Sequence, residues 1–202
     1  MADLDELIRQ IRGNWAWVVA PKAGRELDQW RWDAELGRAF ARHTIWNLGD
    51  GFNYSKCWTY AVVGAEGRYP YCGAYAEEQA FIRAMGGHYD MLLLKLSAIL
   101  PYYLMRLLRR TVSETGRIEE IEIAPEAGLH EEMQARARQF AEGNGFMELL
   151  PAYVYALVPW AALELAEPGT VTVYNCLFED ESNEILEVLR AQRFADGGGA
   201  KG

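Results

Sequence analysis

The 202-residue chain is poor in the residues on which several common kinds of site depend. Its three cysteines are Cys57, Cys72 and Cys176, and none of them stands in a CxxC or other zinc-ligand spacing. The odd count favours reduced thiols, and we expect at least two of them to be buried. The three histidines occur singly, without an HxxxH or HxH motif, so we expect no bound metal. No glycine-rich segment matches a phosphate-binding loop, and we expect no cofactor.

Long uninterrupted apolar runs are also missing. Residues 91–108 are interrupted by Lys95, Pro101 and Arg106, and residues 149–163 by two prolines. Both fall short of the roughly 18–20 apolar residues that cross a membrane, so we interpret them as core. The first ten residues are charged and lack the apolar centre of a signal peptide. The chain is therefore expected to be cytoplasmic and not to bind a membrane.

Basic residues are outnumbered, because 20 Lys and Arg stand against 29 Asp and Glu, which gives a formal net charge of −9 at pH 7. Phosphate recognition needs clustered Lys and Arg, so this balance argues against direct binding of nucleic acid. Half of the residues are hydrophobic and 24% are charged, which excludes intrinsic disorder for most of the chain. The length predicts one globular domain over residues 1–195, followed by a disordered tail over 196–202.

Hydrophobic periodicity predicts a mixture of helices and short strands. The predicted helices cover residues 3–11, 33–47, 76–85, 126–142, 160–167 and 182–192. The predicted strands cover residues 57–63, where a buried helical turn is the alternative, 118–123 and, most strongly, 170–178. Residues 102–110 fit either a strand or a helix, and the aromatic segments 14–20 and 27–32 predict a hairpin. This mixture predicts an α+β fold, a single domain with one mixed or antiparallel sheet flanked by helices.

Charge is distributed unevenly along the chain. Residues 95–117 hold five bases and one acid, whereas residues 119–132 and 164–189 hold six and seven acids and no base. Such stretches form either solvated faces or a surface that recognises a basic partner, and we predict the second. The predicted partner-binding residues are Glu119, Glu120, Glu122, Glu179, Asp180, Glu181 and Glu184. Glu179 to Glu181 follow a predicted strand, where loops often carry binding residues.

The dipeptide Cys57-Trp58 resembles the nucleophile region of papain-like and transglutaminase-like thiol enzymes. The resemblance implies a thiolate at Cys57, a histidine within hydrogen-bond reach, and an Asn or Asp that orients the histidine. The candidate pairs are His88 with Asp90 and His130 with Asn175. Lys56 departs from the papain-like pattern, which has a small residue there, and the preceding Gln is absent. A buried strand is therefore favoured, and a thiol-dependent hydrolase or transferase is the alternative.

Aromatic residues are abundant, with seven Trp and eleven Tyr. Six of the seven tryptophans lie within the first 58 residues. Core packing accounts for aromatic residues in general, but Trp and Tyr also anchor ligands and partners. A small-molecule sensor with an aromatic pocket is thus a third functional hypothesis.

A C-terminal stretch carries a second resemblance. It begins at Val158-Pro-Trp and ends with Glu167-Pro-Gly-Thr-Val-Thr-Val-Tyr-Asn-Cys-Leu-Phe. About 20 residues there resemble the end of some immunity proteins of bacterial polymorphic toxin systems. The resemblance implies a cytosolic, acidic, single-domain protein without catalysis that binds and neutralises one cognate toxin. We therefore predict a non-enzymatic protein that occludes a basic bacterial toxin.

Overall fold

A six-stranded sheet organises the residues that the computed structural model describes, which are 3–20, 32–48, 55–64, 75–167 and 169–180. Its strands are β1 (Thr44–Asn47), β2 (Cys57–Val63), β3 (His88–Ser97), β4 (Tyr102–Val112), β5 (Ile118–Glu122) and β6 (Met147–Glu148). The first five lie in chain order, each antiparallel to its neighbour, and β6 runs parallel to β4. The predicted α+β fold with one mixed or antiparallel sheet is confirmed.

Helices lie on both faces of this sheet. They are α1 (Leu4–Gly13), α2 (Trp15–Val19), α3 (residues 32–39), α4 (Tyr75–Ala84), α5 (Leu129–Gly143), α6 (Pro151–Val154) and α7 (Val173–Leu177). Within the described ranges, no helix combines the length and the apolar composition that a membrane crossing requires.

One face of the sheet, the Cys57 face, carries Cys57, Thr59 and Lys95, because alternate residues of a strand point to the same side and paired residues share a face. α1, α2, α6 and α7 cover part of this face through a buried apolar cluster that includes Cys57 and Leu104. α4 covers the rest through a second cluster, to which it contributes Ile82.

The opposite face, the Tyr60 face, carries Tyr60 and the leucines at 92, 94 and 96 of β3. α3 contributes Leu36 to the cluster on this face, and α5 contributes Met133 and Phe140. The fold therefore has three layers, helices on either side of a sheet, and both faces of the central strands are dry. This explains why β2 is buried at all seven of its positions.

The two ends of the sheet are named after residues that lie there. At the Cys57 end, Cys57 pairs with Ser97. At the His88 end, His88 pairs with Thr111, and β4 turns back into β5. The ten residues of β3 connect these ends, so they lie roughly 30 Å apart at about 3.3 Å per residue.

Several sequence predictions agree with these elements. Asp3 caps α1 by accepting a hydrogen bond from the backbone N–H of Glu6 at 2.7 Å, as its spacing predicts. The predicted strand over residues 57–63 is β2, and the ambiguous residues 102–110 lie in β4. α4 ends before Gly86 and Gly87, which both have positive φ.

The strongest strand prediction, over residues 170–178, is wrong because Val173–Leu177 is a helix. Thr172 Oγ1 accepts from the backbone N–H of Asn175 at 3.3 Å, and Asn175 Oδ1 accepts from the backbone N–H of Thr172 at 2.9 Å. This reciprocal pair is a capping box, which favours a helix over a strand. All five residues of α7 are buried, so burial gave no periodic signal that distinguished the two.

Three further predictions need correction. The segment 14–20 is not one arm of a hairpin, because α2 follows α1 directly and buries Val18 in the same cluster. The helix predicted over 33–47 ends near residue 39, and β1 then pairs with β2. Residues 160–167 are not helical, because Asp180 Oδ2 accepts the backbone N–H groups of Glu164 and Leu165. The predicted helix 182–192 and tail 196–202 lie outside the described residues.

Candidate functional site

Two of the predicted binding residues and the candidate nucleophile lie together inside the protein, at the Cys57 end. Glu179 Oε2 accepts from Lys95 Nζ at 2.5 Å and from the Tyr174 hydroxyl at 3.1 Å. Lys95 Nζ also donates to the Tyr174 hydroxyl at 2.8 Å. Only 6% of the Lys95 side chain and 23% of the Glu179 side chain are exposed. Glu179 is thus the internal counter-charge of a buried lysine.

Lys56 and Asp180 lie beside the Lys95–Glu179 pair. We call these four residues the internal charged cluster. Lys56 Nζ donates to the backbone carbonyl of Asn175 at 2.8 Å. Burial lowers the pKa of Lys56, and the carboxylates of Asp180 and Glu179 act in the opposite direction. Asp180 is only 5% exposed and accepts two backbone N–H groups. Its carboxylate therefore holds a loop in place.

The Cys57 thiol borders the cluster and is completely buried. Its Sγ lies 3.4 Å from Thr59 Oγ1 and 3.8 Å from Ser55 Oγ. Burial raises the pKa of Cys57, while the charge of Lys95 acts to lower it. Burial likewise raises the pKa of Cys176 to about 12. Both thiols are held protonated at neutral pH, whereas a nucleophilic cysteine needs the thiolate.

The chain's three histidines lie far from Cys57. His88 and His130 are at the other end of the sheet, and His43 precedes β1 beside Thr44, which pairs with Val63. Asp90, the residue that binds His130, lies seven positions along β3 from Ser97, the partner of Cys57, or roughly 23 Å away. Asn175 lies near the Cys57 end, but its side chain serves the capping box of α7. The structure brings neither candidate histidine to Cys57.

The structure instead pairs His130 with Asp90, a combination that the sequence did not indicate. His130 Nε2 lies 3.0 Å from Asp90 Oδ2, and His130 Nδ1 accepts the backbone N–H of Glu126 at 3.1 Å. Asp90 also accepts two hydrogen bonds from Arg109, at 2.6 and 2.7 Å. Both ring nitrogens are thus engaged in hydrogen bonds. Together these contacts fasten the start of α5 to β3 and β4.

The Asp90 carboxylate is electrostatically unusual. Burial acts to raise its pKa, but the hydrogen bonds and charge of Arg109, with His130 and His88, outweigh burial and lower it. The carboxylate is therefore ionised, and the charge of Arg109 balances it. It lies on the Tyr60 face, beside the start of α5.

The aromatic residues that the structure describes are mostly core residues. Trp32 is buried and makes edge-to-face contacts with Trp58, Phe140 and Phe146, with ring centroids 5.6 to 6.1 Å apart. Such offset geometry is typical of core aromatic packing. Trp17 on α2 differs, because 51% of it is exposed.

The remaining predicted binding residues that the structure describes, Glu119, Glu120 and Glu122, lie on β5 at the surface. Glu122 pairs with Arg106 at 3.1 Å and Glu120 pairs with Arg110 at 2.7 Å. Glu119 is exposed and makes no ion pair within the described ranges. Glu181 and Glu184 lie outside the described residues. The acidic and basic stretches thus partly neutralise each other.

In two ion pairs beside β5 the carboxylate is more exposed than the arginine. The exposed fraction of the side chain is 37% for Glu120 against 25% for Arg110, and 71% for Glu126 against 27% for Arg109. We call this region the acidic surface. It wraps around the edge strand β5: Glu119 and Glu126 lie on the Tyr60 face, and Glu120 and Glu122 alternate to the Cys57 face. Its fifth member is Glu131 of α5, whereas Glu132 lies toward His43 and is not included. Four of its carboxylates, Glu119, Glu120, Glu126 and Glu131, are exposed, whereas Arg117 is the exposed arginine beside β5 in the described ranges, so negative charge predominates at the solvent boundary.

Lys56 and Lys95 are buried charged residues that the sequence analysis did not identify as candidates. Lys95 carried a signal, because it interrupts the continuous apolar run of β3, a strand that is buried on both faces. A lysine there requires a buried anion. Its partner, Glu179, lies 84 positions later in the chain, and no local pattern links the two.

Comparison with known proteins found no family model, no curated protein and no solved structure that matches this chain.

Proposed function

We propose that the protein is a non-enzymatic binding protein whose acidic surface occludes a basic partner, and that this partner is a cognate bacterial toxin that it neutralises in the cytoplasm. One observation carries the proposal. Glu119 and Glu131 are exposed and make no ion pair within the described ranges, and Glu120 and Glu126 are more exposed than the arginines that pair with them. The formal net charge of −9 supports the same partner chemistry.

The location of this surface differs from the prediction in one respect. Glu179 and Asp180 bind internal partners, so we do not assign them to the interface. Recognition is assigned to the acidic surface instead. Complementary fields of this kind raise the association rate and select partners by charge.

A growth assay tests the biological part of the proposal. The open reading frame next to the gene for this chain is expressed from an inducible promoter, alone and together with the chain. We expect growth arrest by the neighbouring product and rescue by co-expression. A harmless neighbour, or a toxic one that the chain does not rescue, would contradict the proposal.

Charge reversal tests the mechanism. The double variant Glu119→Lys with Glu131→Lys alters exposed side chains without breaking an ion pair of the described fold. We expect association with the toxin found in the growth assay to slow by about tenfold at low salt. The slowing should be smaller at high salt, because salt screens the charges. Surface-plasmon association rates measure this effect.

The control is the double variant Asp5→Lys with Glu167→Lys, which changes the net charge equally. Asp5 and Glu167 are exposed and lie on α1 and in the loop before α7, outside the acidic surface. Association should be close to wild type for this control. Equal slowing in both double variants would mean that net charge, rather than the acidic surface, controls association.

A further inference from the structure

The loop that joins β5 to α5 is held to the rest of the protein by few contacts. We call residues 124–128 the Glu126 loop, and all of them are exposed. Backbone hydrogen bonds of Ile123 and Gly128 anchor its two ends. Between these ends, the described structure shows one hydrogen bond, which the backbone N–H of Glu126 donates to His130 Nδ1 at 3.1 Å. The middle of the loop therefore depends on this histidine.

The acceptor is a buried ring whose tautomer is fixed by its two contacts. His130 is only 6% exposed. Its Nε2 lies 3.0 Å from Oδ2 of the ionised Asp90, which can only accept, so Nε2 carries a proton. Its Nδ1 faces the backbone N–H of Glu126, which can only donate, so Nδ1 carries none. The docked loop thus requires a neutral His130 ring.

A proton on Nδ1 is incompatible with this arrangement. An imidazolium has two N–H donors and no acceptor. The backbone N–H of Glu126 would then face another donor, and its hydrogen bond would be lost. Turning the ring over gives no relief, because both ring nitrogens carry protons in this form. The Glu126 loop would have to move away from His130.

Charged groups of both signs lie around the ring, on each element that packs against it. They are Asp90 and His88 on β3, Arg109 on β4, Glu126 in the loop and Glu131 on α5. Asp90 accepts from Nε2 in either protonation state of the ring. The hydrogen bond at Nδ1 is therefore the contact that protonation changes.

We propose that His130 is a pH-dependent switch: the Glu126 loop is docked while the ring is neutral and is released when Nδ1 takes up a proton. Histidine is the side chain that ordinarily changes its charge between about pH 5 and pH 8. The docked loop binds one proton fewer than the released loop, so acid favours release. Release moves Glu126, a member of the acidic surface, away from Arg109. The loop responds to pH in this way whatever the partner of the protein is.

A pH titration followed by NMR spectroscopy tests the proposal on the wild-type chain. At about pH 8, the ring nitrogen resonances of His130 should show a protonated Nε2 and an unprotonated Nδ1. As the pH falls to about 5, Nδ1 should become protonated, and the Glu126 amide resonance should shift with the same midpoint. Exchange of this amide with water, corrected for its intrinsic pH dependence, should rise by up to about tenfold for each pH unit on the way to the midpoint. The Leu94 amide, in the centre of β3, is the reference and should stay protected.

Two variants identify the group that titrates. The carboxamide of Gln can accept and donate hydrogen bonds but does not take up a proton in this range, so His130→Gln should abolish the pH dependence at Glu126. His88→Gln removes the other histidine near Asp90 and should leave the pH dependence unchanged. Circular dichroism confirms that each variant is folded.

The proposal is overturned if Nδ1 of His130 carries a proton at about pH 8, or if the ring does not titrate down to about pH 5. It is also overturned if the pH dependence at Glu126 persists in His130→Gln. Loss of protection at Leu94 together with Glu126 would mean that acid unfolds the whole chain, and would contradict a switch confined to the loop. If His130→Gln does not fold, the wild-type titration decides, because His130 and Glu126 must share one midpoint.

Discussion

Lys95 and Glu179 form an ion pair of 2.5 Å between the centre of the sheet and the residue that follows α7 and Phe178. Only 6% of the lysine side chain reaches solvent, so its charge depends on this one carboxylate and on the Tyr174 hydroxyl. Charges this deep are tolerated only when they are paired.

Removal of the carboxylate should therefore be costly. We expect Glu179→Gln to lower the free energy of unfolding by about 3 kcal/mol, because it leaves an uncompensated buried ammonium. Lys95→Met should cost less, since Glu179 keeps partial access to water. The double variant should recover much of the loss. Urea denaturation of the four proteins measures the coupling, and simple additivity would contradict an energetically important pair.

Asp90 should make stability depend on pH. Its pKa is lowered in the fold, so its carboxylate stabilises the protein above the unfolded value of about 3.9, and this contribution is lost as the pH falls through the folded value. We expect Asp90→Asn to cost about 2 kcal/mol at pH 7 and to flatten the acid limb of the stability curve. Glu114→Gln, at an exposed turn, is the control. An unchanged acid limb in Asp90→Asn would contradict the assignment.

The Cys57 thiol should be inert in the folded protein. Burial raises its pKa, so little thiolate is present at neutral pH, and the sulfur is inaccessible. We expect iodoacetamide to leave Cys57 unmodified in the native chain and to alkylate it in urea, as read by peptide mass spectrometry. Rapid alkylation of native Cys57 would revive the thiol-enzyme alternative.

The cap of α7 should contribute measurably to stability. Thr172→Val keeps the shape of the side chain but removes the hydroxyl that accepts from Asn175, and we expect a loss of about 1 kcal/mol. Thr172→Ser retains the hydroxyl and should lose less. Thermal unfolding compares the two. A valine variant as stable as wild type would mean that burial alone holds the helix.

Local patterns predicted the elements whose environment is regular. β2 was the favoured prediction because a short, mainly apolar run suits a strand covered on both faces, and α1 was predictable because an apolar stripe follows a capping residue. α7 was not, since Thr172 and Asn175 form a cap inside a β-branched sequence where every residue is buried. The outcome there depended on two hydrogen bonds rather than on periodicity.

The charged residues show the same limit. Glu179 and Asp180 were predicted to face a partner because they follow an apolar segment, and nothing nearby in the sequence indicates their internal partners. By contrast, Glu119 was predictable as a surface residue, because a glutamate is rarely buried without a partner, and β5 is exposed at both Glu119 and Glu120. Side chains that pair across long sequence separations cannot be assigned from local composition.

The internal charged cluster also has a consequence for the order in which the protein is made. Lys56 and Lys95 leave the ribosome before their partners Asn175 and Glu179, which follow 119 and 84 positions later. Until those residues emerge, the Cys57 end has lysines on its interior face and no anion to receive them. The sheet can close there only after almost the whole described chain has been synthesised. Completion of the fold at the Cys57 end therefore waits for the synthesis of residues 175–179.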